Sequence, residues 1–236
     1  FAGTGFADQS HALAAPDLKG VFVLADGLAV NGSELAKGLA GELPSGLPVS
    51  GGLAADGDRF EHTWVIVDKA PQEGSVVALG LYGESVVIAC SYRGGWDVFG
   101  PEREVTRSSG NVLYTLDDQP ALALYRKSLG ERAGELPAAG LLFPLAIRNE
   151  LEADGLTMRT ILAIDEVAQS MTFAGDIPQG SFVRMMRANR DRLIDGATGA
   201  ADGFAIAAKP PLERLCVAIS CIGRRLVLGQ RCEEEI

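Results

Sequence analysis

The run Val21-Phe22-Val23-Leu24 ends in Ala25-Asp26-Gly27, and leucines four apart follow at Leu35, Leu39 and Leu43. A short, uninterrupted apolar run predicts a buried strand, and a spacing of four predicts one face of a helix. Together they predict a strand-turn-helix unit. Near the other end, residues 215–219 predict a second buried strand, closed by Ser220-Cys221-Ile222-Gly223 and followed by a helical stretch over 224–228. The recurrence of this unit predicts two halves related by pseudo-symmetry. In a parallel sheet, such units present their turns at the carboxyl edge, where ligands bind.

Between these units the pattern turns β-rich. Residues 63–67, 75–81 and 85–92 alternate or run apolar, with Gly83-Glu84 as a turn, and predict a meander. Residues 105–107 and 112–116 continue it around the hairpin-like turn Ser109-Gly110-Asn111. The carboxylates and early proline of Asp117-Asp118-Gln119-Pro120 suit a helix start, and residues 121–129 carry that helix to Gly130. The boundary between halves is placed here, giving regions 1–119 and 120–236. The second half is expected to hold strands at 158–164 and 170–174, a turn at 176–180, a helix over 186–194 and a loop over 196–202. The fold class is therefore mixed α/β, with largely parallel outer strands, a β-meander and two related halves.

Composition narrows the function classes. Of 236 residues, 47% are hydrophobic and 22% charged, a globular balance, and 29 glycines imply many tight turns or close backbone approaches. The net charge of -10 disfavours nucleic acid, because phosphate contacts need a basic patch. The nearest candidate patch, Arg224, Arg225 and Arg231, is followed at once by Glu233, Glu234 and Glu235. Four cysteines without a CxxC pair predict reduced thiols in a cytoplasmic protein, with Cys216 buried in its strand. No apolar run reaches the roughly 18 residues of a membrane span, and no basic n-region of a signal peptide opens the chain.

Four stretches carry candidate chemistry. The run from Gly51-Gly52 to Asp56-Gly57-Asp58 could line a ligand pocket with its amides and carboxylates. It lacks the spacing of a calcium loop, and neither GxGxxG nor GxxxxGK is present, so no metal and no phosphate cradle is expected. In Gly94-Gly95-Trp96-Asp97-Val98-Phe99-Gly100-Pro101, two aromatics sit within an expected irregular turn, where Trp96 either walls a pocket or plugs the sheet. Ser220 and Cys221 stand at a strand-to-turn junction suited to a nucleophile, but only His11 and His62 exist as imidazole bases. Arg159 and Arg148 could each clamp a carboxylate, or Arg148 could pair on the surface with Glu150 or Glu152.

Four ordered blocks resemble the FIST sensory domain, an amino-terminal FIST region leading into a carboxy-terminal one. They are GGLAADGDRFEHTWV from Gly51, GGWDVFGPEREVTRSSGNVLYTLDDQPALALYRKSLG from Gly94, MRTILAIDEVAQSMTFAGDIPQGSFVRMMRAN from Met158 and AISCIGRRLVLGQR from Ala218. The resemblance covers most of the chain. It implies a bacterial-type signal-input domain, commonly joined to a histidine kinase, chemotaxis receptor or cyclic-dinucleotide enzyme, that binds a small polar ligand such as an amino acid. Against that pattern the chain is expected to be a fragment, short of the start of the first region and of closing strands after Ile236. The expected ligand-binding set is Gly51, Gly52, Asp56, Gly94, Gly95, Trp96, Arg159, Ser220 and Cys221, with no catalytic role and no cofactor. Two alternatives stay open: a haem-based nitric oxide sensor using His11 or His62 as axial ligand, and a hydrolase or transferase using Cys221.

Overall fold

The computed structural model describes residues 15–148, 156–202 and 215–235. Strand β1 (Leu18–Asp26) buries Val21, Val23 and Ala25 on one face, as its apolar run predicts. Helix α1 (Gly32–Glu42) begins where Asn31 caps it, its side-chain oxygen accepting from the amides of Ser33 at 2.9 Å and Glu34 at 3.4 Å. Leu39, and Leu43 just beyond the helix, pack on Leu18, Val21 and Val23. Strand β2 (Val49–Ala54) then runs parallel to β1, with Gly51 opposite Val23. A Cβ on Gly51 would lie 1.7 Å from the Val23 carbonyl oxygen, and its φ is +149°, so only glycine fits. The glycine pair expected to form a turn is thus the middle of a strand.

Strands β3 (Val65–Val67) and β4 (Ala70–Gln72) form a hairpin, and β5 (Val76–Tyr82) lies antiparallel to β1 on the side away from β2. The first sheet therefore has the order β2-β1-β5.

The second sheet holds β6 (Trp96–Ser109), β7 (Val112–Leu116), β8 (Gln119–Pro120), β9 (Leu145–Arg148), β10 (Leu156–Arg159), β11 (Ile161–Asp165), β12 (Ser170–Phe173) and β13 (Phe182–Ala188). Its order is β10-β9-β13-β6-β7-β12-β11, with β8 on β7. The two edge strands, β10 and β11, are consecutive in the chain and separated only by Thr160. The sheet must therefore curl back on itself. Helix α2 (Ala121–Leu129) fills the curl, with Leu122 and Tyr125 buried against Val105, Leu113, Ile161, Phe173 and Val183 from strands all along it. The Tyr125 hydroxyl donates to the Phe143 carbonyl, so the one polar atom carried inward is satisfied. Helices α3 (Arg190–Asp202) and α4 (Ile222–Leu228) enclose a smaller cluster of Leu193, Val227 and Leu228 against Trp96.

Several expectations are corrected. Only β1–β2 is parallel; the other pairings among the described residues are antiparallel, so "largely parallel" does not hold. The expected turn at 94–101 is mostly strand: β6 starts at Trp96, and a register shift opposite Arg184 and Met186 absorbs Gly100 and Pro101 as a bulge. The expected strand over 158–164 is broken at Thr160. The expected helix over 186–194 is strand as far as Ala188, because β13 pairs with β6 up to Trp96. Residues 196–202 are helix rather than loop; Gly196 is small because a Cβ there would lie 2.1 Å from the Gly94 carbonyl oxygen.

Residues 85–92 and 215–219 form no strand among the described residues. Both have β-prone sequences, but a strand exists through its ladder, and no described strand pairs with either. Val87, Tyr92, Leu215, Val217 and Ile219 are accordingly exposed, and Cys216 is exposed rather than buried.

Candidate functional site

A cleft of about 860 Å³ opens between α1 and β2 and is bounded on its far side by residues 90–92. Its shape follows from side-chain size. Ala36 and Ala40 leave one wall recessed between Leu35, Leu39 and Leu43, while Gly51 and Gly52 leave the floor as bare backbone. Ser50, Ser91 and Tyr92 bring hydroxyls, and Cys90 a thiol. No charged side chain lines the cleft among the described residues.

The amino end of α1 reaches this cleft at Gly32, but its first amides are occupied. Gly32 donates to the Ala174 carbonyl at 2.9 Å, and Ser33 and Glu34 donate to Asn31. The positive end of the helix dipole is therefore capped within the protein. The same corner joins the two halves. Asn31 Nδ2 donates to Asp176 Oδ1 at 2.8 Å, Lys37 Nζ lies 2.8 Å from Asp176 Oδ2, and the Asp176 amide donates to Ser33 Oγ at 2.9 Å. Burial pushes the Asp176 carboxyl up, but Lys37 and Asn31 outweigh it and hold the group below the usual aspartate value.

Of the residues expected to bind a ligand, Gly51 and Gly52 line the cleft and the others lie outside its lining. Asp56 turns inward and accepts the amides of Phe60 at 3.2 Å, Glu61 at 2.9 Å and His62 at 3.1 Å. Burial raises its pKa, yet these amides prevail and its net shift is downward. Gly95 serves close packing, since a Cβ there would meet the Leu193 backbone at 2.5 Å, whereas a Cβ on Gly94 would meet only the Trp96 ring at 3.6 Å. Trp96 packs with Leu193, Val227 and Leu228. Arg159 donates to the Asp176 carbonyl at 2.8 Å and to Ser33 Oγ at 3.2 Å, which places it at the junction of the halves.

Ser220 Oγ donates to Glu235 at 2.7 Å, and Cys221 caps α4, its Sγ accepting the Arg224 amide at 3.4 Å. Their neighbour Ile219 comes within 3.9 Å of the position a Gly52 Cβ would take. Of the three singled-out stretches, only Gly51-Gly52 lines the cleft; Trp96 and the Ser220-Cys221 turn make their contacts elsewhere. Arg148 pairs with Glu102; Glu150 and Glu152 lie outside the described residues.

His62 is not placed to serve a group in the cleft. Its Nδ1 lies 2.9 Å from Glu73, its ring stacks on Trp64 with centroids 5.6 Å apart, and it does not line the cleft. His11 lies outside the described residues. No cluster of potential metal ligands occurs among the described residues, and no helix among them is long and apolar enough to cross a membrane.

Sequence reasoning missed two features. The α1 wall was legible only as a helix face, because Ala36 and Ala40 carry no signal beyond their small size. Asp26, buried at the end of β1, accepts from Leu28 at 2.9 Å, Ala29 at 3.0 Å, Gly74 at 2.6 Å and the Thr63 hydroxyl. It pins the turn that leads into α1; a lone aspartate after an apolar run was the available signal.

Comparison with known families gives a FIST N domain over residues 2–119 and a FIST C domain over residues 121–236. No curated protein and no solved structure matches the chain.

Proposed function

The chain belongs to the FIST family, with the N domain followed by the C domain, and from that premise we propose that it is a signal-input module that holds a small polar ligand in the α1–β2 cleft and relays its presence to a separate output domain or protein. FIST domains are sensory domains of signal transduction. The observation that carries the reading is the cleft itself, whose volume suits a small molecule and whose floor is the Gly51-Gly52 backbone.

The position of α1 supports the relay. One side of this helix walls the cleft, while its amino end and Lys37 bond to residues 174–176 of the second half. A ligand that packs on α1 more tightly in one setting of the helix shifts that setting, and the Asp176 contacts report it across the molecule. Gly51 and Gly52 are the proposed ligand contacts, and regions 1–119 and 120–236 are the proposed partners in the relay.

Isothermal calorimetry of the full chain against amino acids and common metabolites tests this. A binding heat is expected that disappears in Ala40→Trp, where an indole fills the cleft from an exposed helix position. A binder unaffected by Ala40→Trp would place the ligand elsewhere, and absence of any binder would remove the reading.

A further inference from the structure

Resting on this reading, we infer that the cleft selects ligands that carry no formal charge: a largely apolar body with amide, hydroxyl or carbonyl groups that bond to the open edge of β2. Among the described residues, no Asp, Glu, Lys, Arg or His lines the cleft. The neighbouring cations are engaged elsewhere. Lys37 Nζ lies 2.7 Å from Glu34 and 2.8 Å from Asp176, and Arg159 donates to the Asp176 carbonyl and Ser33. The α1 amides that would otherwise attract an anion are capped by Asn31 and Ala174. A carboxylate or ammonium entering this cleft would lose water and gain no opposite charge, which is a net cost.

What the cleft does offer is suited to a neutral molecule. Leu35 and Leu39 present an apolar wall. Strand β2 pairs with β1 alone among the described residues, so main-chain N–H and C=O groups on its other edge are open to a ligand. Ser50 and Ser91 add hydroxyls that donate or accept. Such a site recognises an amide by the same ladder geometry that a neighbouring strand would use.

Paired probes change the charge while keeping the side chain the same. Leucine, phenylalanine, serine and glutamine are each titrated as the free zwitterion and as the N-acetyl amide, with the amide resonances of Gly51 and Gly52 followed by heteronuclear NMR in the full chain. At least one N-acetyl amide is expected to move both resonances and to bind at least tenfold more tightly than its zwitterion. Ala40→Arg, which adds a guanidinium to the wall from an exposed position, is expected to narrow or reverse that ratio. If a zwitterion binds as tightly as its amide and Ala40→Trp abolishes both, the cleft remains the ligand site and the charge selection is overturned. If no probe moves Gly51 or Gly52, the sensory reading of the cleft falls with it.

Discussion

At Gly51, the absence of a side chain has a different cause from its absence at Gly52 one position on. Gly51 lies so close to β1 that a Cβ would overlap the Val23 carbonyl, and its φ of +149° is strained for any other residue. Gly52 has ordinary φ, and its Cβ would meet only Ile219 at 3.9 Å. Gly51→Ala is therefore expected to destabilise the protein by about 3 kcal/mol or more, and Gly52→Ala to change stability by less than about 0.5 kcal/mol. Urea unfolding of the two variants checks the contrast; equal losses would mean that the close approach is relieved by a shift of β2. The glycine pair was legible in the sequence as a place where backbone must come close to something. That the something is a neighbouring strand was not legible, because a long-range register leaves no local mark. Trp96 shows the same limit: its size and its glycine neighbours were visible, but its burial against Leu193, Val227 and Leu228 depends on residues about a hundred positions away.

For whole elements, legibility followed how local the determining contacts are. Strand β1 and helices α1 and α2 could be read because their apolar spacing lies within the element, but Asp117 and Asp118, expected to start α2, form the turn between β7 and β8 and do not cap it. Residues 196–202 were misread because Gly196 and Gly199 lower helix expectation, while here Gly196 lets α3 approach the Gly94 carbonyl. This reverses the usual expectation for a helical glycine. On propensity alone, Gly196→Ala should stabilise α3 by about 0.5–1 kcal/mol. Contact decides otherwise, since the new Cβ would stand 2.1 Å from the Gly94 carbonyl oxygen, and a net loss of about 1–3 kcal/mol is expected. Gly199 is the internal control: its Cβ would meet only the Arg93 side chain at 3.9 Å, so Gly199→Ala should follow propensity. Thermal melts of both variants decide between the two effects, and a stabilised Gly196→Ala would show that α3 does not pack this closely in solution.

Across the whole molecule, the two halves are joined in two ways. Strands β6 and β7, which precede residue 119, pair with β13 and β12, which follow it, so the curled sheet crosses the family boundary. The three-stranded sheet and α1 are attached more lightly, through Asn31, Ser33 and Lys37 at Asp176 and through Arg159. Because the Asp176 carboxyl is held below the usual aspartate value of about 3.9, its contribution is complete above that pH and is lost as pH falls through the lower native value. Asp26, Asp56, Glu166 and Glu234 are shifted in the same direction, so acid alone cannot single out the junction. Asp176→Ala at neutral pH can. The two tryptophans give separate reports, Trp64 beside the first sheet and Trp96 in the α3–α4 cluster, and each can be isolated by replacing the other with Phe. In the parent chain both probes are expected to melt together, as in a cooperative unit. In Asp176→Ala, the Trp64 transition should fall about 5 °C below that of Trp96. Below about pH 4, the parent chain should begin to show the same separation, whereas Asp176→Ala should gain little beyond what Asp26, Asp56, Glu166 and Glu234 contribute. Coincident melts in Asp176→Ala would mean that the shared strands β6 and β7, rather than the α1 corner, couple the halves, and a ligand signal from the cleft would then have to travel through β1 and β5.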